Sequence, residues 1–182
     1  MKKYILSGAP GSLKTSVLRY LETLGYAVVD EAATDVIALE QALGNDEPWT
    51  DPSFIDQIVC LQRQRQQQQQ LQSLSTVAEV QFFDRSPVDT YALCKYLEFQ
   101  PSAALMEELD RIQAEKIYSN AVFFMENLGF CQPSEVRRIT FEESLRFERI
   151  HEEAFHRWGY EIVKIPAVSI SERAKAILNL VA

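Results

Sequence analysis

The segment Gly8-Ala9-Pro10-Gly11-Ser12-Leu13-Lys14-Thr15-Ser16 has the residue types that bind a polyphosphate. It follows the pattern G-x-x-x-x-G-K-[ST], with Gly8, Lys14 and Thr15 in place and Leu13 where the second glycine belongs. In such a loop, successive backbone N–H groups and a helix N-terminus converge on the phosphates. Lys14 then reaches the β/γ-phosphates, and the Thr15 hydroxyl ligates Mg²⁺. Glycine before the lysine admits a positive φ and close approach of backbone to phosphate. If that φ is retained here, Leu13 carries a strain of about 1–2 kcal/mol.

Five further positions fit the same chemistry. Asp84 closes an apolar run and so sits where open α/β sheets place their ligands. It is a candidate for a magnesium-bound water or for the base that receives a hydroxyl proton. An N-capping role for Asp84 is weaker, because Ser86 is better placed for it. Glu31 ends a second apolar run beside Asp30 and is a candidate acceptor-binding group or general base. Arg85 suits either an acceptor phosphate or an ion pair. Arg137 and Arg138 lie in an irregular stretch, about residues 129–139, and a lid carrying either one would neutralise charge on a transferring phosphoryl group.

These residues are positioned by strands that alternate with helices. Apolar runs at Tyr4–Leu6, Ala27–Val29, Val80–Phe83, Ala121–Met125 and Glu161–Ile165 read as five strands. The first ends at the phosphate loop, the second at Asp30-Glu31 and the third at Asp84-Arg85. Helical spacing connects them: Val17 and Leu21 with Gly25 as terminator; Val36 and Leu39 as far as Leu43; Phe54, Ile58 and Leu61 after Asp51-Pro52. Another helix restarts at Ser86-Pro87, and one more carries Leu105, Leu109 and Ile112. Thr140-Phe141-Glu142-Glu143 and Ser169-Ile170-Ser171-Glu172 are capping boxes that open the last two helices. The glutamines Gln66 to Gln70 continue a helical pattern and read as a solvated face. Strands separated by helices imply right-handed crossovers and a mostly parallel sheet covered on both faces, in one α/β domain over residues 1–182.

Composition removes several function classes. The net charge is −8, the wrong sign for general binding to a nucleic-acid polymer. No apolar run approaches the ~18 residues of a membrane span, and Ser7-Gly8 interrupts the first apolar stretch too early for a secretory leader. Cys60, Cys94 and Cys131 are too far apart for a disulfide framework or a zinc cluster, and read as three buried thiols in a cytoplasmic protein. His151 and His156 are five apart, which is ~140° around a helix, so they cannot share a metal and read as surface residues.

The chain resembles the small AAA-type P-loop domain of NadR-type nicotinamide-riboside kinases and of translocation-defect ATP/GTP-binding proteins. The matching pieces are the Gly8–Ser12 loop with Lys14-Thr15, Asp30-Glu31-Ala32-Ala33, Trp49-Thr50-Asp51-Pro52, Phe82-Phe83-Asp84-Arg85-Ser86-Pro87-Val88-Asp89, Glu135-Val136-Arg137 and Trp158-Gly159-Tyr160-Glu161-Ile162-Val163 with Ile165-Pro166. The resemblance implies a three-layer fold with strand order 2-3-1-4-5, ATP or GTP with Mg²⁺, and Arg137 as the lid arginine. Leu13, Thr34 and Ser134 depart from the family pattern.

Three functions compete at this point. One is a Mg²⁺-dependent kinase that moves the γ-phosphate to a hydroxyl of a small, nucleoside-like or other metabolite acceptor, with Lys14, Asp84, Glu31 and Arg137 as its catalytic set. Another is a nucleotide-binding switch or slow ATPase acting on a protein partner. The third is a degenerate module in which Leu13 has weakened the phosphate loop.

Overall fold

A computed structural model describes residues 1–73, 79–128 and 140–181. Five strands form one parallel sheet: β1 (Lys2–Gly8), β2 (Ala27–Val29), β3 (Val80–Asp84), β4 (Ala121–Met125) and β5 (Glu161–Ile165), in the order β2-β3-β1-β4-β5. The expected strands, their parallel pairing and their order are all observed.

The helices are α1 (Lys14–Thr23), α2 (Ala32–Ala42), α3 (Ser53–Ser73), α4 (Pro87–Tyr96), α5 (Ala103–Ala114), α6 (Phe141–Arg157) and α7 (Ile170–Val181), with a 3₁₀ turn at Pro48–Thr50. They form two layers because the strands are apolar on both faces, as buried parallel strands must be. On one face Leu6, Phe82 and Phe123 pack against Val17, Leu21 and Ile177 of α1 and α7. On the other, Ile5, Phe83 and Phe124 pack against Ile58, Ala92, Leu109 and Phe155 of α3 to α6. None of the helices in the described residues is long and apolar enough to cross a membrane.

Local chemistry sets the helix ends. Ser86 and Asp89 form a capping box at the start of α4, with Pro87 in the first turn. Thr140 and Glu143 form another at α6. At α7 the Ser169 amide donates to Glu172 Oε2 at 3.0 Å, and the Glu172 amide donates to Ser169 Oγ at 3.3 Å.

Three sequence-based expectations need correction. Cys60 is exposed and only Cys94 is buried, because Cys60 falls on the outer face of α3; Cys131 lies outside the described residues. Gln66 is not on a solvated face: it is 1% exposed and accepts a hydrogen bond from Arg111 at 2.9 Å. His151 is not a surface residue but is fully buried, and only His156 is exposed.

Candidate active site

The register of the sheet brings the candidate residues to one edge. Leu6 of β1 is opposite Asp84 of β3, Gly8 is opposite Met125 of β4, and Val29 of β2 is opposite Phe83. The phosphate loop, Glu31 and Asp84-Arg85 therefore all emerge at the carboxyl ends of neighbouring strands.

Backbone demands explain the loop residues. Gly8 has φ 137°, and a Cβ there would stand 2.6 Å from the Met125 carbonyl oxygen, so no side chain fits. Gly11 also has a positive φ, 83°. Leu13 caps α1 at φ 60° and ψ 22°, in the left-handed region that leucine disfavours. The position thus keeps the backbone shape of the glycine it replaces, and the Leu13 side chain is 39% exposed. Ser12 and Lys14 are buried, whereas Thr15 is exposed at the start of the helix. Ala9 is buried, Pro10 half-buried at the mouth of a cavity, and Ser16 half-buried on α1.

The structure brings Thr15 and Asp84 together. Thr15 Oγ1 donates to Asp84 Oδ2 at 2.9 Å. Asp84 is 5% exposed, and its Oδ1 is buried with no hydrogen-bond partner. Burial pushes the Asp84 pKa up, Lys14 pulls it back, and Glu31 pushes it up again. A buried carboxylate oxygen without a donor beside a hydroxyl fits a hydrated Mg²⁺, which needs only one or two protein oxygens when phosphates and water complete its shell. Among the described residues there is no group of three or more His, Cys, Asp or Glu side chains that would form a dedicated protein cage.

Arg85 and Glu31 form the second half of the site. Arg85 adopts φ 70°, and this left-handed turn directly after β3 sends the guanidinium back beneath the phosphate loop. There Arg85 Nε donates to Glu31 Oε1 at 2.7 Å, and another guanidinium nitrogen donates to the Gly8 carbonyl at 3.2 Å. The third nitrogen donates to Asp89 Oδ1 at 3.3 Å and stands 3.2 Å from His151 Nε2. Burial works against the Arg85 charge, and Glu31, Asp89 and Asp84 outweigh it. The Phe147 ring covers the guanidinium, with its centroid 5.7 Å away. Thr34 Oγ1 donates to the other Glu31 oxygen at 2.8 Å, so the residue that departs from the family pattern still serves this carboxylate.

Asp89 and His151 belong to this network, although Asp89 entered the sequence reading only within a matching piece and His151 only as a surface residue. Asp89 accepts from the Ser7 hydroxyl and from the Ser86 amide and hydroxyl, the last two at 2.9 Å each. Its signal was available: Ser86-x-x-Asp89 is the spacing of a capping box. His151 Nδ1 lies 2.8 Å from the Phe147 carbonyl, which can only accept, so Nδ1 carries the proton and Nε2 accepts from Arg85. Burial, then the Arg85 charge, hold the His151 pKa well below its ordinary value, and the ring is neutral. Arg137 and Arg138 lie outside the described residues.

A cavity of about 330 Å³ opens beside the loop, with Pro10, Glu31 and Arg85 on its wall. Trp49, Phe54, Leu93 and Phe147 make most of its surface apolar. Gln62 and Thr90 add polar groups, with Thr90 Oγ1 donating to Gln62 Oε1 at 2.9 Å. The volume lies at the small end of the ligand-site range.

The fold and the loop define a P-loop protein. A model of an AAA domain family matches residues 3–173, and the chain belongs to that family. No curated protein sequence matches it. Among solved structures, it is similar to a deoxyadenosine kinase from M. mycoides with the products dCMP and a flexible dCDP bound (16% identity, TM-score 0.64, 98% of each chain covered). It is also similar to thymidylate kinase from Ehrlichia chaffeensis (14% identity, TM-score 0.65, covering 100% of this chain and 98% of the other) and to thymidylate kinase from Candida albicans (11% identity, TM-score 0.54, covering 99% and 90%). At these identities the likeness is one of fold.

Proposed function

We propose that this protein is a Mg²⁺-dependent small-molecule kinase that transfers the γ-phosphoryl group of ATP or GTP to a hydroxyl of a small, nucleoside-like acceptor. The observation that carries this reading is the cavity beside the phosphate loop, because it holds a carboxylate, Glu31, and a charged guanidinium, Arg85, against an apolar chamber of metabolite size. A switch acting on a protein needs no such chamber. The solved kinases that share the fold support the reading.

Each residue then has a role. The loop amides and Lys14 hold the triphosphate. Thr15 and Asp84 are the residues that would hold Mg²⁺, which would offset the negative charge of the phosphates. Glu31 orients the acceptor hydroxyl and takes its proton as the acceptor oxygen bonds to the γ-phosphorus and the bond to the nucleoside diphosphate breaks. A carboxylate suffices as base for a loose transition state in which little proton transfer precedes bond cleavage. Arg85 fixes the Glu31 carboxylate through its ion pair and lends the cavity wall a positive charge. Arg137 as the lid arginine, and the NadR-type subgroup, rest on the resemblance in sequence.

The test is transfer of labelled γ-phosphate from Mg²⁺-ATP to a panel of ribo- and deoxyribonucleosides. A phosphorylated product that disappears in Lys14→Ala is expected; equal turnover in that variant would sink the assignment. A second reading, a module with weakened nucleotide binding, is favoured by the left-handed Leu13. It would show itself as no binding by this chain and recovered binding in Leu13→Gly.

A further inference from the structure

Arg173 is the largest fully buried side chain among the described residues, at 0% exposure, and none of the roles above uses it. It lies on α7, whose Ala174, Ile177 and Val181 pack beside α1 and the sheet. One terminal nitrogen donates to the Ser12 carbonyl of the phosphate loop, and the other donates to the Glu126 carbonyl at 3.0 Å, just past the end of β4. Its Nε has no partner. Burial pulls its pKa down, and only Glu126 acts to restore it. A guanidinium held by two neutral carbonyls is a costly arrangement. Anchoring α7 to the sheet does not need it, since an apolar residue among Ala174 and Ile177 would serve.

What the arrangement does accomplish follows from peptide planarity. No peptide bond in the described residues is cis, so the carbonyl of residue 12 and the amide N–H of residue 13 point in opposite directions. We propose that Arg173 is a positioning residue for the phosphate loop: it draws the Ser12 carbonyl toward α7, turns the Leu13 N–H to the opposite, phosphate-facing side, and so holds Leu13 in its left-handed conformation. This explains how the loop keeps its shape without the second glycine. It also places a desolvated positive charge directly behind the anion site, where its field is weakly screened. The inference rests on the nucleotide-binding reading for its ligand only; the clamp on Leu13 exists without ligand.

A thermal-unfolding cycle tests it without any nucleotide. Leu13→Gly relieves the left-handed strain and loses part of the gain to glycine's greater freedom in the unfolded chain, so it should raise the midpoint by about 2 °C. In the Arg173→Met background Leu13 is no longer held, and the same substitution should bring no rise. Equal rises in both backgrounds would overturn the clamp. If Arg173→Met does not fold, Arg173→Lys takes its place, since one ammonium cannot hold both carbonyls in the fork geometry, and the rise should again shrink. The ligand arm uses Mg²⁺-ATP and inorganic tripolyphosphate. Arg173→Met should weaken both about 10-fold, the loss expected for one charge-assisted hydrogen bond. Unchanged tripolyphosphate affinity would also overturn the proposal. A parent chain that binds neither ligand defeats the nucleotide reading, and the unfolding cycle still decides the clamp.

Discussion

Asp84→Asn isolates what the phosphate site costs the fold. Asp84 is 5% exposed, with one oxygen bonded to Thr15 and the other buried and unpartnered. Burial and the neighbouring Glu31 together raise its pKa more than Lys14, Arg85 and Thr15 lower it. An acid whose folded-state pKa lies above its unfolded value stabilises the fold most at low pH and loses that contribution as the pH rises through the folded pKa. Above that folded pKa the ionised Asp84 is therefore a net cost. Leaving a buried polar group unsatisfied costs about 1–3 kcal/mol. The amide removes the charge but keeps a group to desolvate, so the gain should fall in the lower half of that range, about 1–2 kcal/mol. At 2–4 °C per kcal/mol for a domain of this size, the unliganded midpoint should rise by about 4 °C. The same variant should lose Mg²⁺-dependent stabilisation by ATP and lose turnover. Thermal unfolding at pH 7.5, with and without Mg²⁺ and ATP, reads both effects. An unliganded Asp84→Asn protein that melts below its parent, or one that keeps full Mg²⁺-dependent stabilisation, would refute the reasoning.

Glu31→Gln should lower kcat about 100-fold, the range of a lost general base, while leaving the ATP dissociation constant within about 2-fold; steady-state kinetics and nucleotide titration separate the two. Gly8→Ala should destabilise by about 2 kcal/mol or more, because its Cβ meets the Met125 carbonyl at 2.6 Å and φ is 137°; urea unfolding measures this. Buried neutral His151 has a depressed pKa, so its contribution is present above the unfolded value near 6.5 and is lost as the pH falls below it. Urea midpoints at pH 7.5 and 5.5 should differ less in His151→Gln than in the parent.

The parts of the structure legible from sequence were those set by local pattern. Five apolar runs ending in Gly8, Asp30, Asp84, Glu126 and Pro166 give the strands, and the chemistry-bearing residues follow them directly. The strand order came from the resemblance and not from periodicity. Arg85 was visible as a candidate, but its left-handed backbone was not, since nothing local favours φ 70° for arginine. His151 and Arg173 were missed for a common reason. Each sits on an amphipathic helix where a polar residue reads as solvated, and each is buried by partners far away in sequence: Arg85 for His151, Ser12 and Glu126 for Arg173. Buried polar contacts of that range leave no mark in periodicity.

The central claim is that this loop, leucine included, binds the triphosphate of a nucleotide through Lys14. Thermal unfolding with Mg²⁺-ATP tests it most directly, on the parent chain and on Lys14→Ala. At 100 times the dissociation constant the ligand should add about 2.7 kcal/mol, several degrees for a domain of this size, and the rise should vanish in Lys14→Ala. No rise in the parent chain at millimolar Mg²⁺-ATP, or the same rise in both proteins, would contradict the account.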